Sequence, residues 1–288
     1  MHSTPQHVVV TGASTGIGAA CAVWLAQRGW LVWAGVRRSE DGERLQAQGG
    51  DRIRPLHLDV TEPRSLELAA AEVGAALAEG GLAGLVNNAG IAVAGPLEFV
   101  GRDPLRQQFE VNVIGLVAAT QAFLPLLRQG PGRIVHMGST SGRLALPFLG
   151  PYAASKFAVE ALSDAQRGEL RPWGIEVINI QPGAVATPIW DKARQSNEAQ
   201  FAELPPDAQT LYQRPIDRLR AQTAQAAQRA IPAERVAAVV ERALTARRPR
   251  TRYPVGGDAR LQFLIRRLPD RWRDALIGRM LFGHGASE

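Results

Sequence analysis

The sequence predicts an α/β fold in which a doubly wound parallel sheet forms a single domain that ends in a C-terminal helical extension. Short apolar runs alternate with helical patterns from residue 7 to about residue 190, and such alternation implies parallel strands joined by right-handed crossovers. In addition, the first apolar run leads directly into a glycine-rich turn that opens a helix. Both observations favour a sheet whose ligand-binding residues follow the carboxyl ends of its strands.

Composition limits the class of protein and its surroundings. The 288 residues are 45% hydrophobic and 21% charged, which is typical of a globular chain. The single cysteine, Cys21, excludes an internal disulfide and fits a reducing compartment. The N-terminus lacks the apolar core of a signal peptide, and no apolar run reaches transmembrane length. We therefore expect a cytoplasmic protein, and the five scattered histidines predict no metal site.

The first strand, residues 7–10, continues into the pattern Gly-x-x-x-Gly-x-Gly. Glycine at positions 12, 16 and 18 permits a tight turn and lets backbone N–H groups approach a pyrophosphate, whose charge the helix N-terminus favours. Such a segment can also be no more than a turn. With a strand before it and a helix after it, we expect it to bind a dinucleotide through Gly12, Ser14, Thr15, Gly16, Ile17 and Gly18.

The second strand, residues 31–36, bears on the choice between two dinucleotides. In proteins that bind NAD, an acidic residue at the end of this strand holds the ribose 2′-hydroxyl. Gly35 occupies that place here, and Arg37 and Arg38 follow it. A guanidinium can pair with a 2′-phosphate through charge-assisted bonds of about 1.5–3 kcal/mol each. We therefore expect NADP rather than NAD; the alternative is that both arginines only solvate a loop.

The remaining strand–helix units bring further polar residues to the same edge of the sheet. The pattern predicts strands at 53–60, 82–86, 133–137, 175–180 and 251–255, and helices at 63–79, 103–128, 152–173 and from 231 onward. Within the helix at 103–128, Pro125 predicts a kink. Asn88, Ser139 and Gly183 each follow a strand, so we expect them to meet at one edge of the sheet.

Tyr152 and Lys156 are four residues apart, which on a helix places both side chains on one face. A tyrosine hydroxyl normally titrates near pH 10 and is a poor base at neutral pH. At about 5 Å and an effective dielectric constant of about 20, an ammonium favours the phenolate by about 3 kcal/mol, or about two pKa units. We therefore expect the pKa of Tyr152 to approach neutral pH, which suits a proton donor or acceptor. The alternative is a buried tyrosine beside a solvated lysine.

Together these motifs resemble the short-chain dehydrogenase/reductase family. The matching pieces occur in the family's order: Thr11-Gly12 with Gly16-Ile17-Gly18, Asp59, Asn87 to Gly90, Asn112, Ser139, Tyr152 with Lys156, and Pro182-Gly183. Ser139 lies thirteen residues before Tyr152, as the family pattern requires. The resemblance covers about residues 7–190 and implies a Rossmann fold. Bacterial members similar to retinol dehydrogenase or to 17β-hydroxysteroid dehydrogenase look nearest, through residues 35–38 and the arginine-rich end.

The resemblance implies a role for each matching residue. Tyr152 would exchange a proton with the substrate oxygen, Lys156 would lower its pKa and hold the nicotinamide ribose, and Ser139 would bond the substrate oxygen. Asn112 would hold a water that links Lys156 to solvent. The other cofactor contacts would come from Asp59 at the adenine, Thr187 at the carboxamide, and from Val60, Asn88, Ala89, Gly90, Pro182, Gly183 and Val185.

Several of these roles have alternatives. Asn112 could be an ordinary buried amide, Asp59 could cap a loop, and Ser141 could be mistaken for Ser139. The sequence also departs from the pattern of some NADP-dependent relatives, which carry a basic residue just before the second glycine, where Thr15 stands. Arg37 is therefore the expected ligand of the 2′-phosphate.

Beyond Thr187 the pattern is less regular. Residues 188–230 are polar and rich in glutamine and alanine, and we expect them to form helices over the mouth of the site, as a lid does. Residues 258–288 read as a basic amphipathic extension, since eleven arginines but only three acids lie from Arg242 to Arg279. Such an end can contact an anionic membrane surface. The alternative is that it docks on the domain or on another subunit.

The sequence therefore predicts one domain, residues 1–288, that transfers hydride between NADP(H) and a carbonyl or alcohol carbon. Apolar residues 145–149 beside the site suggest an apolar pocket, and with it an apolar alcohol, aldehyde or ketone as the substrate; a loop that packs on its own domain would have the same composition. The alternative is a catalytically idle dinucleotide-binding regulator, which would not need Ser139, Tyr152 and Lys156 together. No nucleic-acid partner is expected, because no recognition motif accompanies the basic end. We also expect a homo-oligomer.

Overall fold

A computed structural model describes residues 5–77, 80–130, 132–189 and 206–282 of the chain. Its strands are β1 (His7–Val10), β2 (Leu31–Val36), β3 (Ile53–His57), β4 (Gly84–Asn87), β5 (Arg133–Met137), β6 (Glu176–Pro182) and β7 (Arg252–Val255). They form one parallel sheet in the order β3-β2-β1-β4-β5-β6-β7. The winding reverses between β1 and β4, where sheets of this kind open a crevice for ligands.

Helices cover both faces of this sheet. They are α1 (Gly16–Ala26), α2 (Ser39–Gly49), α3 (Pro63–Ala76), α4 (Arg102–Phe109), α5 (Gly115–Leu127), α6 (Gly150–Leu170), α7 (Pro206–Gln228), α8 (Ala233–Thr245), α9 (Gly257–Ile265) and α10 (Asp270–Phe282). On one face, Ala22 of α1 and Val240 of α8 share a buried cluster with Val8 of β1. On the other, Val9 packs with Phe123 of α5. Alternate residues of β1 thus pack into two hydrophobic cores, one on each face of the sheet, as in other parallel strands that are buried on both faces.

The predicted sheet, its winding and the bounds of β2 and β5 agree with the structure. The helix predicted at 103–128 differs, because a π-helical segment, Glu110–Ile114, separates α4 from α5. Pro125 lies inside α5, and that helix continues to Leu127. The interruption therefore falls around Asn112 rather than at the proline. Single π-helical turns inside α-helices are frequent at functional sites.

The sequence analysis expects no apolar run of transmembrane length. The stretch Arg102–Leu127 corrects this expectation, because its length and composition alone would allow it to cross a membrane. Its residues Phe123 and Leu127 are fully buried and belong to the cluster between α5 and the sheet. Packing against the sheet thus explains the apolar character of this stretch, because a helix in the core of a domain is hydrophobic over much of its surface.

Candidate active site

The glycine-rich turn lies between β1 and α1, and only glycine fits its geometry. Gly12 and Gly16 have φ angles of 63° and 60°, a left-handed region that side chains disfavour. A Cβ added to Gly12 would lie 2.7 Å from the Cα of Ala89, and one added to Gly18 would collide with the Gly12 carbonyl. The turn is therefore a cradle with no side chain at three of its positions, and it fits a pyrophosphate at the start of α1.

The segment after β4 holds this turn in place. The Asn88 side-chain amide donates to the carbonyls of Thr11 and Gly12, both at 3.0 Å. The Thr11 hydroxyl in turn accepts from the backbone N–H groups of Asn88 and Ala89, also at 3.0 Å. Gly90, the next residue, lies against the π-helical segment. Asn88 and Ala89 thus fix the shape of the cradle, and Thr11 is a supporting residue to which the sequence analysis gave no role.

Arginines gather beside the turn where β2 ends. Arg37 has a side chain that is 75% exposed and lies 3.7 Å from the Asp59 carboxylate. Arg44, on α2, donates to the Ser14 carbonyl at 2.6 Å and pairs with the buried Asp41 at 2.8 Å. Two guanidinium groups therefore flank the turn. The sequence analysis missed Arg44, because no motif marks a residue inside α2.

Asp59 follows β3 and caps its own loop. Its carboxylate accepts from the backbone N–H and the hydroxyl of Thr61, at 3.0 and 2.8 Å. Burial opposes ionisation, but these bonds and the charge of Arg37 hold the pKa of Asp59 below its usual value. Val60 is buried and faces Gly115 at the start of α5. The loop-capping alternative thus describes the Asp59 side chain, whose charge also orients Arg37.

The segment after β6 closes the opposite side of the groove. Pro182 ends β6, Gly183 donates its N–H to β7, and Val185 bridges to the segment before α8. These bonds carry Thr187 against the glycine-rich turn, where a Cβ on Gly16 would lie 3.2 Å from the Thr187 Cβ. Residues far apart in the sequence therefore meet across one groove.

Ser139 and Tyr152 meet at the carboxyl end of β5. Tyr152 lies in the first turn of α6, is only 6% exposed, and its side chain is hydrogen-bonded to Ser139. The Ser139 Oγ also accepts from the backbone N–H of Ser141 at 3.1 Å. Ser139, rather than Ser141, is thus the serine beside the tyrosine. Two neighbouring hydroxyl groups can bind one oxygen atom between them.

Lys156 lies one turn further along α6. Its Nζ is 5.8 Å from the centre of the Tyr152 ring and donates to the Met137 carbonyl at 2.7 Å. Burial lowers the pKa of Lys156 to about 8. Burial also raises the pKa of Tyr152, and the bond from Ser139 offsets only part of that rise. The expected lowering of the Tyr152 pKa is therefore wrong in direction, because desolvation of the buried hydroxyl outweighs the neighbouring charge.

Asn112, in the π-helical segment, joins the segment after β4 to α6. Its Oδ1 accepts from the Ile91 N–H at 2.8 Å, and its Nδ2 donates to the Ile91 carbonyl and to the Ser155 Oγ at 3.0 and 3.1 Å. Ser155 donates to the Tyr152 carbonyl at 2.7 Å and accepts from Gln108 at 3.4 Å. This network orients the start of α6. Both N–H groups of the Asn112 side chain are thus engaged, and the sequence analysis missed Gln108 and Ser155.

A second polar network lies beneath the site, inside the sheet. His136 of β5 is fully buried, and its ring joins Gln166 at 2.8 Å to Asn87 at 3.2 Å. Because Asn87 presents its Nδ2 and Gln166 its Oε1, the ring accepts at Nδ1 and donates at Nε2. Burial lowers the pKa of His136 to about 4, which keeps the ring neutral. A histidine in an apolar run gave no sequence signal for this network.

Aromatic rings from α7 and from the loops before α4 and α6 pack together. Tyr212 of α7 meets Phe99 and Phe148 edge to face, at centroid distances of 5.8 and 6.0 Å. Phe148, in the loop before α6, has a φ of 67° and also contacts α10. Of the predicted lid, residues 190–205 lie outside the described residues, as do residues 283–288 of the predicted extension.

Comparison with known proteins agrees with this geometry. A profile described as short chain dehydrogenase matches residues 6–198. The chain is 36% identical over 281 residues to retinol dehydrogenase 5 of Mus musculus, across 94% of this chain and 87% of that protein. It is 35% identical over 279 residues to the NADPH-dependent 3-dehydrocapnine reductase of Ornithobacterium rhinotracheale, across 94% of this chain and 96% of that protein. A short chain dehydrogenase from Burkholderia cenocepacia, crystallised with NADP, matches with a TM-score of 0.70 and 27% identity over 98% of this chain and 99% of that one.

The chain therefore belongs to the short-chain dehydrogenase family. Its seven-stranded parallel sheet, flanked by helices in a single domain, is the Rossmann-type fold of that family. It is an NAD(P)-dependent oxidoreductase that acts on alcohol or carbonyl groups. These findings confirm the family, the fold class and the reaction class predicted from the sequence, and they make the idle regulator the weaker alternative.

Proposed function

We propose that this enzyme interconverts a carbonyl and an alcohol with NADP(H), with Tyr152 as the general acid and base. One observation carries the proposal: Tyr152 is hydrogen-bonded to Ser139 and buried one helical turn from Lys156. A phenol in that position donates a proton to a carbonyl oxygen or accepts one from an alcohol. The nicotinamide dinucleotide supplies or accepts the hydride when it is bound.

Each residue of this cluster has a distinct task. Ser139 bonds the substrate oxygen and holds it against the Tyr152 hydroxyl, so that the proton passes between Tyr152 and that oxygen. Lys156 stabilises the phenolate that remains after donation, because its ammonium lies on the same face of α6. The Met137 carbonyl orients that ammonium at 2.7 Å. Asn112 acts through the network that orients the start of α6, and its backbone would hold the water that leads to solvent.

The groove from the glycine-rich turn to Lys156 fits a dinucleotide. The backbone of residues 12–18 would hold the pyrophosphate, because glycine at positions 12, 16 and 18 places no Cβ there. Residues 88–90 and the loop of Asp59 and Val60 would border the adenosine. The segment of Pro182, Gly183, Val185 and Thr187, which reaches back to Gly16, would border the nicotinamide.

A preference for NADP over NAD is supported by the charges beside the turn. No acidic side chain occupies the end of β2, where Gly35 lies, while Arg37 and Arg44 present guanidinium groups there. Arg37 is held only loosely by Asp59 and is largely exposed, so it can turn to a 2′-phosphate. The relative from Ornithobacterium rhinotracheale is named as NADPH-dependent.

An apolar alcohol, aldehyde or ketone is the proposed substrate. Ala92 and Ile189 pack around Tyr152, so its ring has apolar neighbours, and the rings of Phe148 and Tyr212 would line the mouth of the substrate space. A relative is named as a retinol dehydrogenase, which agrees with an apolar substrate. We propose that α7 acts as a lid over this space.

Oxidation of NADPH and of NADH across aldehydes and ketones graded by size tests the proposal. We expect kcat/KM to rise with the apolar surface of the substrate and to be at least tenfold higher with NADPH, which is the effect of about one charge-assisted bond. Equal kcat/KM values with both dinucleotides would contradict the proposed NADP preference. Values of kcat/KM that fall as the apolar surface of the substrate grows would contradict the proposed substrate class.

The C-terminal helices support a second proposal, contact with an anionic membrane surface by an otherwise cytoplasmic enzyme. Helix α10 docks on the domain, where Ile277 and Leu281 are buried with Leu144. Much of the remaining surface of the helix is exposed, since Trp272 is 71% and Met280 54% accessible. A helix with exposed aromatic and aliphatic residues beside arginines suits a membrane interface. Docking and membrane contact would thus use different residues of one helix.

Sedimentation with anionic vesicles tests the membrane contact. We expect the intact enzyme to sediment at low salt and to be released as ionic strength rises, because surface attraction is screened. The pair Trp272→Ser and Met280→Ser should abolish sedimentation without loss of dinucleotide binding. Leu68→Ser, an exposed leucine on α3, is the matched control. An intact enzyme that stays in the supernatant at low salt contradicts the proposal.

We also propose that the enzyme is a homo-oligomer. Ile114 is 52% and Phe157 42% exposed on neighbouring helices of the same face, where a second copy of the chain would cover them. Sedimentation velocity of the wild type and of Phe157→Ser tests this contact. A wild type that sediments as a monomer overturns it.

A further inference from the structure

A cavity of about 440 Å³ is lined by residues that take no part in the site described above. It is lined by Arg143 from the loop after β5, Gln181 near the end of β6, and Phe263, Arg266 and Arg267 from α9 and its C-terminal end. Cavities of this volume are typical of small-molecule sites. Three guanidinium groups face one space, an unusual concentration of like charge.

The neighbouring carboxylates do not balance these charges. Glu160 accepts from Gln181 at 2.6 Å and from Arg252 at 2.8 Å, and Arg143 reaches it only at 3.5 Å. Asp164 is taken up by Arg252 and Arg167. Among the residues that the structure describes, Arg266 and Arg267 have no ion pair. The cavity is therefore left with an excess of positive charge.

Arg143 shows the consequence. Its Nε is buried and has no hydrogen-bond partner within the described ranges. Burial, together with the charges of Arg266 and Arg252, lowers the pKa of this guanidinium from its usual value. A buried donor without an acceptor carries a desolvation cost that an anion in the cavity would remove.

We propose that this cavity binds a phosphate monoester dianion between Arg143, Arg266 and Arg267. A dianion has several acceptor oxygens, and planar guanidinium groups can hold them in pairs. The Gln181 amide is committed to Glu160, so it borders the anion without being its main donor. Phe263 forms an apolar wall, and the volume leaves room for an organic group attached to the phosphate.

Two sources share this chemistry: a soluble phosphate ester and the headgroup of a lipid such as phosphatidic acid. Exposed Leu261 and Leu264 lie on α9 next to the cavity, so a headgroup could reach it from a bilayer. The site is separate from Arg37 at the far end of the sheet's edge. It is therefore independent of the dinucleotide proposal.

Calorimetric titration of the full chain with glycerol 3-phosphate, at constant ionic strength, tests the site. Arg266→Gln and Arg267→Gln should each weaken binding at least tenfold, because each removes charge-assisted bonds. Arg271→Gln, which removes an exposed arginine of α10 that does not line the cavity, should change it less than twofold. Arg37→Ala should also leave it unchanged, which separates this site from the one at β2.

A second arm uses vesicles of phosphatidylcholine that contain phosphatidic acid or, at equal charge, phosphatidylglycerol. If the lipid is the source, Arg266→Gln releases the protein from phosphatidic acid vesicles more than Arg271→Gln does, and phosphatidylglycerol binds less. Hydrogen exchange of residues 257–268 should slow with whichever ligand binds. Equal losses in Arg266→Gln and Arg271→Gln, loss only in Arg37→Ala, or no binding in either arm would overturn the proposal.

Discussion

The part of the chain up to Thr187 and the part from residue 206 onward differ in what determines the residue types that they contain. In the first part the backbone itself decides, since Gly12 and Gly18 leave no room for a side chain. In the second part α10 buries only Ile277 and Leu281 and exposes most of its surface. The difference shows that local backbone geometry determines a groove for a dinucleotide. The role of an exposed helix depends instead on the molecule that binds to it.

The largest expected effect lies in the first part, at Tyr152. Tyr152→Phe removes the proton donor but keeps the ring, so kcat should fall by at least about 10²-fold, the usual scale for acid–base groups. Dinucleotide affinity should change less than twofold. Tyr253→Phe, which removes a hydroxyl that accepts from the Arg250 N–H outside the groove, should leave kcat unchanged. Near-normal turnover of purified Tyr152→Phe would contradict the proposed proton transfer.

The next effect concerns stability, in the network beneath the site. The folded state lowers the pKa of His136 to about 4 from 6.5. Between those values only the unfolded chain binds the proton, so stability falls as pH falls through that window, by about 3 kcal/mol in total.

Urea unfolding at pH 7 and pH 4.5 measures this contribution. His136→Gln should show a smaller loss between the two values than the wild type, whereas His57→Gln, an exposed residue at the end of β3, should match the wild type. The same loss in all three proteins would mean that the pH dependence comes from other groups.

A smaller effect is expected at the rim of the groove. Arg37→Asp should lower the ratio of kcat/KM with NADPH to kcat/KM with NADH by at least about tenfold. The substitution replaces a guanidinium, which attracts the 2′-phosphate, with a carboxylate, which repels it. Arg64→Asp, at an exposed arginine of α3, is the control and should leave the ratio unchanged. An unchanged ratio in Arg37→Asp would show that Arg37 does not touch the phosphate and would point to Arg44.

The sequence predicted what depends on residue type at a fixed spacing. The parallel sheet followed from alternating apolar runs, and the meeting of Ser139 with Tyr152 followed from the resemblance to the short-chain dehydrogenase/reductase family. Arg44, Gln108 and Ser155 were missed because their partners come from other elements of the fold. No spacing rule shows such partners.

The direction of the Tyr152 pKa was wrong for a related reason. The sequence showed the neighbouring charge of Lys156 but not the depth at which both groups lie. Each is only 6% exposed, so desolvation dominates. Burial is set by packing of the whole domain, which a pair of residues at helical spacing does not reveal.

The most direct test of the central claim, that the dinucleotide lies in the groove of the first part, is hydrogen exchange of the intact enzyme with and without NADPH. We predict slower exchange of backbone amides in residues 11–18, 88–90 and 183–187, because these segments border the groove. Residues 257–282 should exchange at the same rate in both states. Protection of residues 257–282 without protection of the glycine-rich turn would contradict the account.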